Sequence, residues 1–345
     1  MLVRADNIFS PEKGFMRGMS LVVSGGIIEE ISDIGEGEGG HDVMDFSGFT
    51  LSPPFCDYHL HFSKDKLPLS TKIGGTLLDH GIARVYEGGD GDLAGIEMKK
   101  KIGGMLDIRT SGFGLFSAGG YGRRIGREVN GLPSARLLID ELRAQGVEYL
   151  KVINSGLFRP ESGKISAGGF ERSELEEIIA YAASRGLPVF CHANGDRAIK
   201  DAVLAGASAI VHGFSVSDET LSLMAERGTD FIPTVNALFS LTKAHDAPEA
   251  KRRIEAMTEG HLAAIRKAHD KGITVLPGSD AGPSFITYGI SYHEELTLFR
   301  RAGLSIEDVM SAAVNGPLRK GMKANYLVLR GLTVEKVFRD GKAFA

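Results

Sequence analysis

The chain has 345 residues, 43% of them hydrophobic and 24% charged, the composition of a globular protein with room for one large barrel or two smaller domains. Its formal net charge of -4 offers no electrostatic case for nucleic acid or an anionic membrane surface, and the expected partner is a small molecule. The two cysteines, Cys56 and Cys191, both in predicted strands, exclude a disulfide framework and read as small core residues.

The sequence opens on "MLVRADNIFS", charged where a secretory signal needs its apolar segment, and no apolar run approaches the roughly 20 residues of a membrane span. A cytoplasmic location with no membrane contact is therefore expected. "LVRADNIFS", "SLVVSGGIIEEIS" and "DVMDFSGFTLS" then alternate apolar and polar residues between glycine-containing turns, as strands do. The far end repeats this pattern in "NYLVLRG" and "VEKVFRDGKAFA", so both ends of the chain are expected to build one small β domain.

Between them strand and helix alternate. "GIARVYEGG" and "GFGLFSAGG" read as buried strands, and "PSARLLIDELRAQG" as a helix opened by Pro133 and closed by Gly146. "VEYLKVINSG" follows as a strand. Ser173 and Glu176 then have the spacing of a capping box ahead of a helix that stops at Gly186. The same grammar runs through "LPVFCHANG", "DRAIKDAVLAG", "ASAIVHG", "DETLSLMAERG", "TDFIPTV" and a long helix ending at Gly272, before "ITVLPGSDAG". Repeated units with nearly continuous apolar strands predict a parallel sheet covered on both faces. About eight units between residues 55 and 315 match the roughly 250 residues of a closed (β/α)₈ TIM barrel, an α/β fold.

In such barrels the chemistry gathers where the strands end. Strand alternation puts Asp57, His59 and His61 on one face of the first strand, with Cys56, Tyr58 and Leu60 on the other. Lys151 lies in the fourth strand, while His192, His212 and Asp280 end the fifth, sixth and eighth. Singly, each has an ordinary reading: a hydrogen-bonded strand-end histidine, a lysine reaching for the rim, or an aspartate capping a loop. Converging on one barrel mouth, the six make a donor set for two divalent ions, for which imidazole and carboxylate suit zinc. His59, His61 and Asp280 would surround one ion and His192 with His212 the other. A buried lysine is costly as an ammonium beside two cations. As a neutral amine Lys151 could take up carbon dioxide, giving a carbamate that bridges them.

With these residues in order, the chain resembles the metal-dependent amidohydrolase superfamily, in particular its prolidase-like and imidazolonepropionase-related branch. The motifs are "PPFCDYHLHF", "GGYG", "YLKVINSG", "PVFCHANG", "AIVHGFSVSDETLSLMAERGTDFIPT" and "LPGSDAG". The resemblance implies a distorted barrel over 55–315 and a small β-sandwich from 1–54 and 316–345. It also implies two divalent metals, with zinc the expected ion, on His59, His61, His192, His212 and a carboxylated Lys151. A hydroxide bridging the metals would attack an amide or peptide-like C–N bond, with Asp280 as general acid/base and metal ligand. Substrate contacts are expected from Tyr121, Arg123 and Arg124 in the third loop, from Arg159 after the Lys151 strand, and from Asn236, Tyr288 and His293 in later loops. An arginine there could grip a carboxylate in a bidentate way.

The departures are Pro54 where glycine is usual, Tyr121 where relatives often carry histidine, Asn325 in place of an aspartate, and a short connection before "RKGMKANYLVL". None removes a proposed ligand. A mononuclear deaminase is disfavoured because Ala193, Asn194 and Gly195 follow His192, without the usual glutamate. A lactone or ester hydrolase, or a barrel that binds without turnover, remains open on these residues, as does a homo-oligomer, which no surface feature specifies.

Overall fold

The computed structural model describes residues 1–33 and 42–344. The chain divides into two compact units, one made of Met1–Cys56, Gly74–Arg84 and Ser305–Ala345, the other of Asp57–Ile73 and Val85–Leu304. No described helix is long and apolar enough to cross a membrane.

In the first unit, strands from both ends of the chain join one eight-stranded sheet. Leu2–Ser10 runs parallel to Val43–Ser52 and antiparallel to Met19–Ser24, and Tyr326–Arg330 adds antiparallel to the far side of Val43–Ser52. Inward-facing Val3, Ile8, Leu21, Val23, Leu51, Val328 and Phe338 form its core, and Tyr326 stacks on Phe338 with ring centroids 4.6 Å apart. The helix Ile306–Ala313 starts at a reciprocal capping box: Ser305 Oγ accepts the Asp308 N–H at 3.0 Å, and Asp308 Oδ2 accepts the Ser305 N–H at 2.8 Å.

The second unit carries the parallel strands. Gly126–Val129, Gly114–Ser117, Leu150–Ile153, Val189–Ala193, Ala209–His212 and Asp230–Ile232 lie side by side in that order. Every residue of Leu150–Ile153 and of Ala209–His212 is buried, as in a sheet covered on both faces. The helices Arg172–Ser184, Asp196–Leu204 and Asp218–Arg227 alternate with these strands. A separate three-stranded sheet joins Phe55–Leu60, Ile82–Glu87 and Asp107–Thr110.

Two sequence expectations change. The segment 273–281 is not a continuous strand. It is tied on one side by the Phe231 N–H to Thr274 O (2.9 Å) and the Leu276 N–H to Phe231 O (2.8 Å), and on the other by the Tyr58 N–H to Pro277 O (2.9 Å) and the His61 N–H to Ala281 O (2.7 Å). Pro277 has no N–H to donate and Asp280 takes a left-handed φ of 54°, so the ladder breaks into bridges at Val275 and Ala281. The capping box expected at Ser173 does not form either. The helix already begins at Arg172, with Glu171 at its N-cap and no side-chain cap, and Arg172 pairs with Glu176 at 2.9 Å.

Candidate metal centre

Asp57 is the anchor. One pleat below His59 and fully buried, its carboxylate accepts the Ser279 N–H (2.9 Å), the Ser279 Oγ–H (2.6 Å) and the His59 N–H (3.1 Å). Burial pushes its pKa up to about 7, against the pull of those Ser279 bonds. This clasp holds the end of the first strand beside the turn that carries Asp280. Asp280 Oδ1 lies 3.5 Å from both His59 Nε2 and His61 Nε2. One ligand atom from each of these three residues falls within 4.8 Å of the others.

The other expected residues close around this trio. Lys151 Nζ is 3.5 Å from His59 Nε2, and the His212 ring is 5.5 Å from that of His59 and 4.5 Å from that of His192. All six line one cavity of about 460 Å³, together with Tyr121, Arg124, Phe62 and Leu157. A cavity of about 480 Å³ beside Phe158, Met257 and His261 is as large. Size therefore does not single out the site; the donor set does.

Three of the four imidazoles have one ring nitrogen tied from behind. His61 Nδ1 lies 3.0 Å from Gly89 O and His192 Nε2 lies 3.2 Å from Gly156 O. A carbonyl only accepts, so His61 Nδ1 carries the proton and leaves Nε2 with a lone pair, whereas His192 Nε2 also lies 3.3 Å from the Asn194 amide nitrogen, a donor, and neither contact alone fixes its tautomer. His212 Nδ1 is held at 2.7 Å by Thr234 Oγ1. His59 Nδ1 is buried with no hydrogen-bond partner among the described residues. Burial, followed by the Lys151 charge, pulls the pKa of His61 down to about 4 and that of His192 to about 3. His59 falls well below the usual range for the same reasons, and His212 through burial and then His192. All four are neutral near pH 7, as metal coordination requires. Burial also lowers the pKa of the Lys151 ammonium and raises that of the Asp280 carboxyl, each partly offset by the other. The residues fit a divalent metal centre.

Gly88 makes the close packing of His59 and His61 feasible: a Cβ there would sit 2.4 Å from His59 Cε1 and 2.8 Å from His61 Cε1. Of the substrate contacts expected from sequence, Tyr121 and Arg124 line the cavity. Arg123, Arg159, Asn236, Tyr288 and His293 are not among its lining residues. Arg123 and Arg159 are exposed, Arg159 on a two-residue strand of the hairpin that follows the Lys151 strand. Asn236 is buried, its side chain donating to Ser291 O (3.2 Å) and Glu294 Oε2 (3.0 Å). Tyr288 donates its hydroxyl to His61 O at 2.7 Å, and His293 sits in the helix Ile290–Arg301, its ring 5.9 Å from Tyr292. Sequence reasoning missed Gly89, Gly156 and Thr234, whose carbonyl or hydroxyl groups hold the histidines, and Ser279, which holds Asp57, because nothing in their spacing marks them.

The model of the amidohydrolase family matches residues 50–326. An ochratoxinase of Aspergillus niger is 25% identical over 317 residues, covering 86% of this chain and 63% of that protein, so the chain spans less than two thirds of this curated relative. The solved structure of the A. niger ochratoxinase superposes with a TM-score of 0.80 at 19% identity, covering 99% of this chain and 95% of that one. A Xaa-Pro dipeptidase structure with bound methionine in its active site superposes with a TM-score of 0.84 at 19% identity, covering 99% and 98%. At such identities the superpositions speak for the fold alone. The family match runs from within the strand Val43–Ser52, before His59, to the start of the strand Tyr326–Arg330 and takes in every residue of the cluster, so this chain belongs to the amidohydrolase family.

Proposed function

We propose that the chain is a binuclear metal-dependent hydrolase of an amide or peptide-like C–N bond. Its barrel would comprise residues 55–315 and close through segment 273–281, with a β-sandwich built from 1–54 and 316–345. The observation that carries this reading is the set of four neutral imidazoles, His59, His192 and His212 buried and His61 16% exposed, converging with Asp280 around Lys151. His59, His61 and Asp280 would hold one ion and His192 with His212 the other, zinc in both, with Lys151 as a bridging carbamate. Bound there, divalent ions supply Lewis acidity and lower the pKa of water.

The chain's own groups do the rest. Asp280 keeps 19% of its side chain open to solvent and lies 3.5 Å from two imidazoles, so it can accept a proton at Oδ and return it to a leaving nitrogen. Burial, by raising its pKa toward neutrality, suits both directions of that transfer. Exposed Arg124 at the cavity rim offers a carboxylate receptor, and Tyr121, its ring 5.6 Å from that of His192, a hydroxyl. A dipeptide or N-acyl amino acid presents both a carboxylate and a scissile amide, and the match to the amidohydrolase family favours that bond class.

Metal analysis combined with turnover of a panel of dipeptides and N-acyl amino acids tests the reading. Two metals per chain with release of free amino acid is the expected result, and native mass spectrometry should find the mass of carbon dioxide added at Lys151. One metal with ammonia release would instead indicate a deaminase, and tight ligand binding without turnover a binding protein.

A further inference from the structure

Two carboxyl groups outside the ligand set sit directly behind it. Glu87 ends the strand Ile82–Glu87 and is fully buried. Its Oε1 accepts the Gly89 N–H at 2.8 Å and its Oε2 accepts the Thr110 hydroxyl at 2.6 Å. The carbonyl of that same Gly89 receives the proton of His61 Nδ1. Glu295, in the helix Ile290–Arg301, is also fully buried. Its Oε1 accepts the Val235 N–H at 3.1 Å and its Oε2 the Asn236 N–H at 2.6 Å. The residue just before them, Thr234, is held at a left-handed φ of 46°, costly for a β-branched side chain, and its hydroxyl grips His212 Nδ1.

We propose that Glu87 and Glu295 are positioning residues of the metal centre: each fixes the backbone of the loop whose carbonyl or hydroxyl holds the non-ligating nitrogen of a ligand histidine. This rests on the metal-centre reading above. Stability alone is a poor reason to keep either group, because a buried carboxyl loses solvation that an apolar side chain of like size would not. What the carboxyl provides is direction. Gly89 is tied on one side to a carboxylate and on the other to an imidazole, and Thr234 grips its imidazole while Glu295 pins the two residues that follow it, so each ring's orientation, and for His61 its tautomer, follows from the carboxylate's place.

The two sites differ in a way that sharpens the test. Both Glu295 oxygens face backbone N–H donors, so an amide in its place would set its own NH₂ against a donor. Glu87 Oε2 faces a hydroxyl that also accepts the Gly112 N–H at 2.9 Å and can accept from an amide as well. Glu87→Gln is therefore tolerated, whereas Glu295→Gln is not.

The experiment uses the purified full chain. Zinc affinity is measured by competition with a chromophoric chelator, and the His61 and His212 tautomers are read from ¹⁵N imidazole shifts of the metal-free protein. Glu87→Met and Glu295→Gln should each weaken zinc binding about 10- to 100-fold and shift the tautomer balance of His61 or His212 respectively, while Glu87→Gln recovers most of the loss. Unchanged zinc affinity and unchanged tautomers in Glu87→Met and Glu295→Gln would overturn the proposal and leave the metal-centre reading intact. Should the unaltered chain bind no divalent ion, the metal-centre reading fails, and the tautomers alone then decide whether these carboxylates direct the rings. If Glu87→Met does not fold, Thr110→Val, which removes only the Oε2 partner, is read in the same way.

Discussion

Gly88 is where the smallest change should do the most damage. Its backbone does not lie in the left-handed region, so alanine brings no backbone strain, only a methyl carbon. That carbon would sit 2.4 Å from His59 Cε1, 2.8 Å from His61 Cε1 and 3.1 Å from His59 Nδ1. Comfortable carbon contacts are about 3.5–4 Å, so the His59 ring would have to retreat by about 1 Å. It has little room: the residue is 1% exposed, its N–H is held by Asp57, and its Nε2 has Lys151 Nζ and Asp280 Oδ1 each at 3.5 Å. A ligand set must keep its geometry to about 0.5 Å, and a displacement of about 1 Å commonly costs on the order of a hundredfold. Overpacking of this kind costs about 1–3 kcal/mol of stability, partly offset by about 0.5–1 kcal/mol from the lower unfolded-state entropy of alanine. Gly88→Ala should therefore lose about a hundredfold in zinc affinity while its melting temperature falls by only a few degrees. Gly91→Ala is the matched control, because a Cβ there meets nothing nearer than 3.7 Å. Chelator competition and thermal denaturation of both proteins decide the matter. Gly88→Ala that binds zinc within a few-fold of Gly91→Ala would refute the packing argument.

Other outcomes follow from the same contacts. Asp280→Asn should cut hydrolytic turnover by about 10²- to 10⁴-fold and metal affinity by much less; equal losses in the two measurements would remove its role in proton transfer. His261 is 2% exposed, its Nε2 donates to Pro233 O at 3.0 Å, and burial pulls its pKa down to about 4. The unfolded chain takes up this proton near pH 6.5 and the folded chain only near pH 4, so the stability it confers is complete above pH 6.5 and lost as pH falls through that window, by up to about 3 kcal/mol. His261→Phe should flatten the acid limb of a stability–pH profile between those values, and an unchanged slope would contradict the assignment. Ser305→Ala should cost about 1 kcal/mol in chemical denaturation because it breaks a formed capping box, whereas Ser173→Ala should change little because no cap forms there.

Local chemistry carried much of this into the linear chain. Strand alternation places Asp57 and His59 on one face whatever packs around them, with His61 one residue past the strand's end, and a buried strand such as Leu150–Ile153 stays apolar enough to be read directly, so that Lys151 stands out. The departures lie where the outcome depends on distant segments. Tyr288 and Asn236 have residue types suited to holding a ligand, yet one bonds to the carbonyl of a residue 227 positions away and the other to a helix 55 positions on. Segment 273–281 has the composition of a strand, but Pro277 and the left-handed Asp280 leave it as bridges between two neighbours that only the folded chain supplies. Glu87 did carry a faint signal, a carboxylate ending an apolar strand just before two glycines, and Glu295 another, on the buried face of an amphipathic helix. Their partners were invisible, because a hydrogen bond between residues 23 or 60 positions apart is set by where the backbone brings donor and acceptor, and no periodicity along the chain encodes that distance.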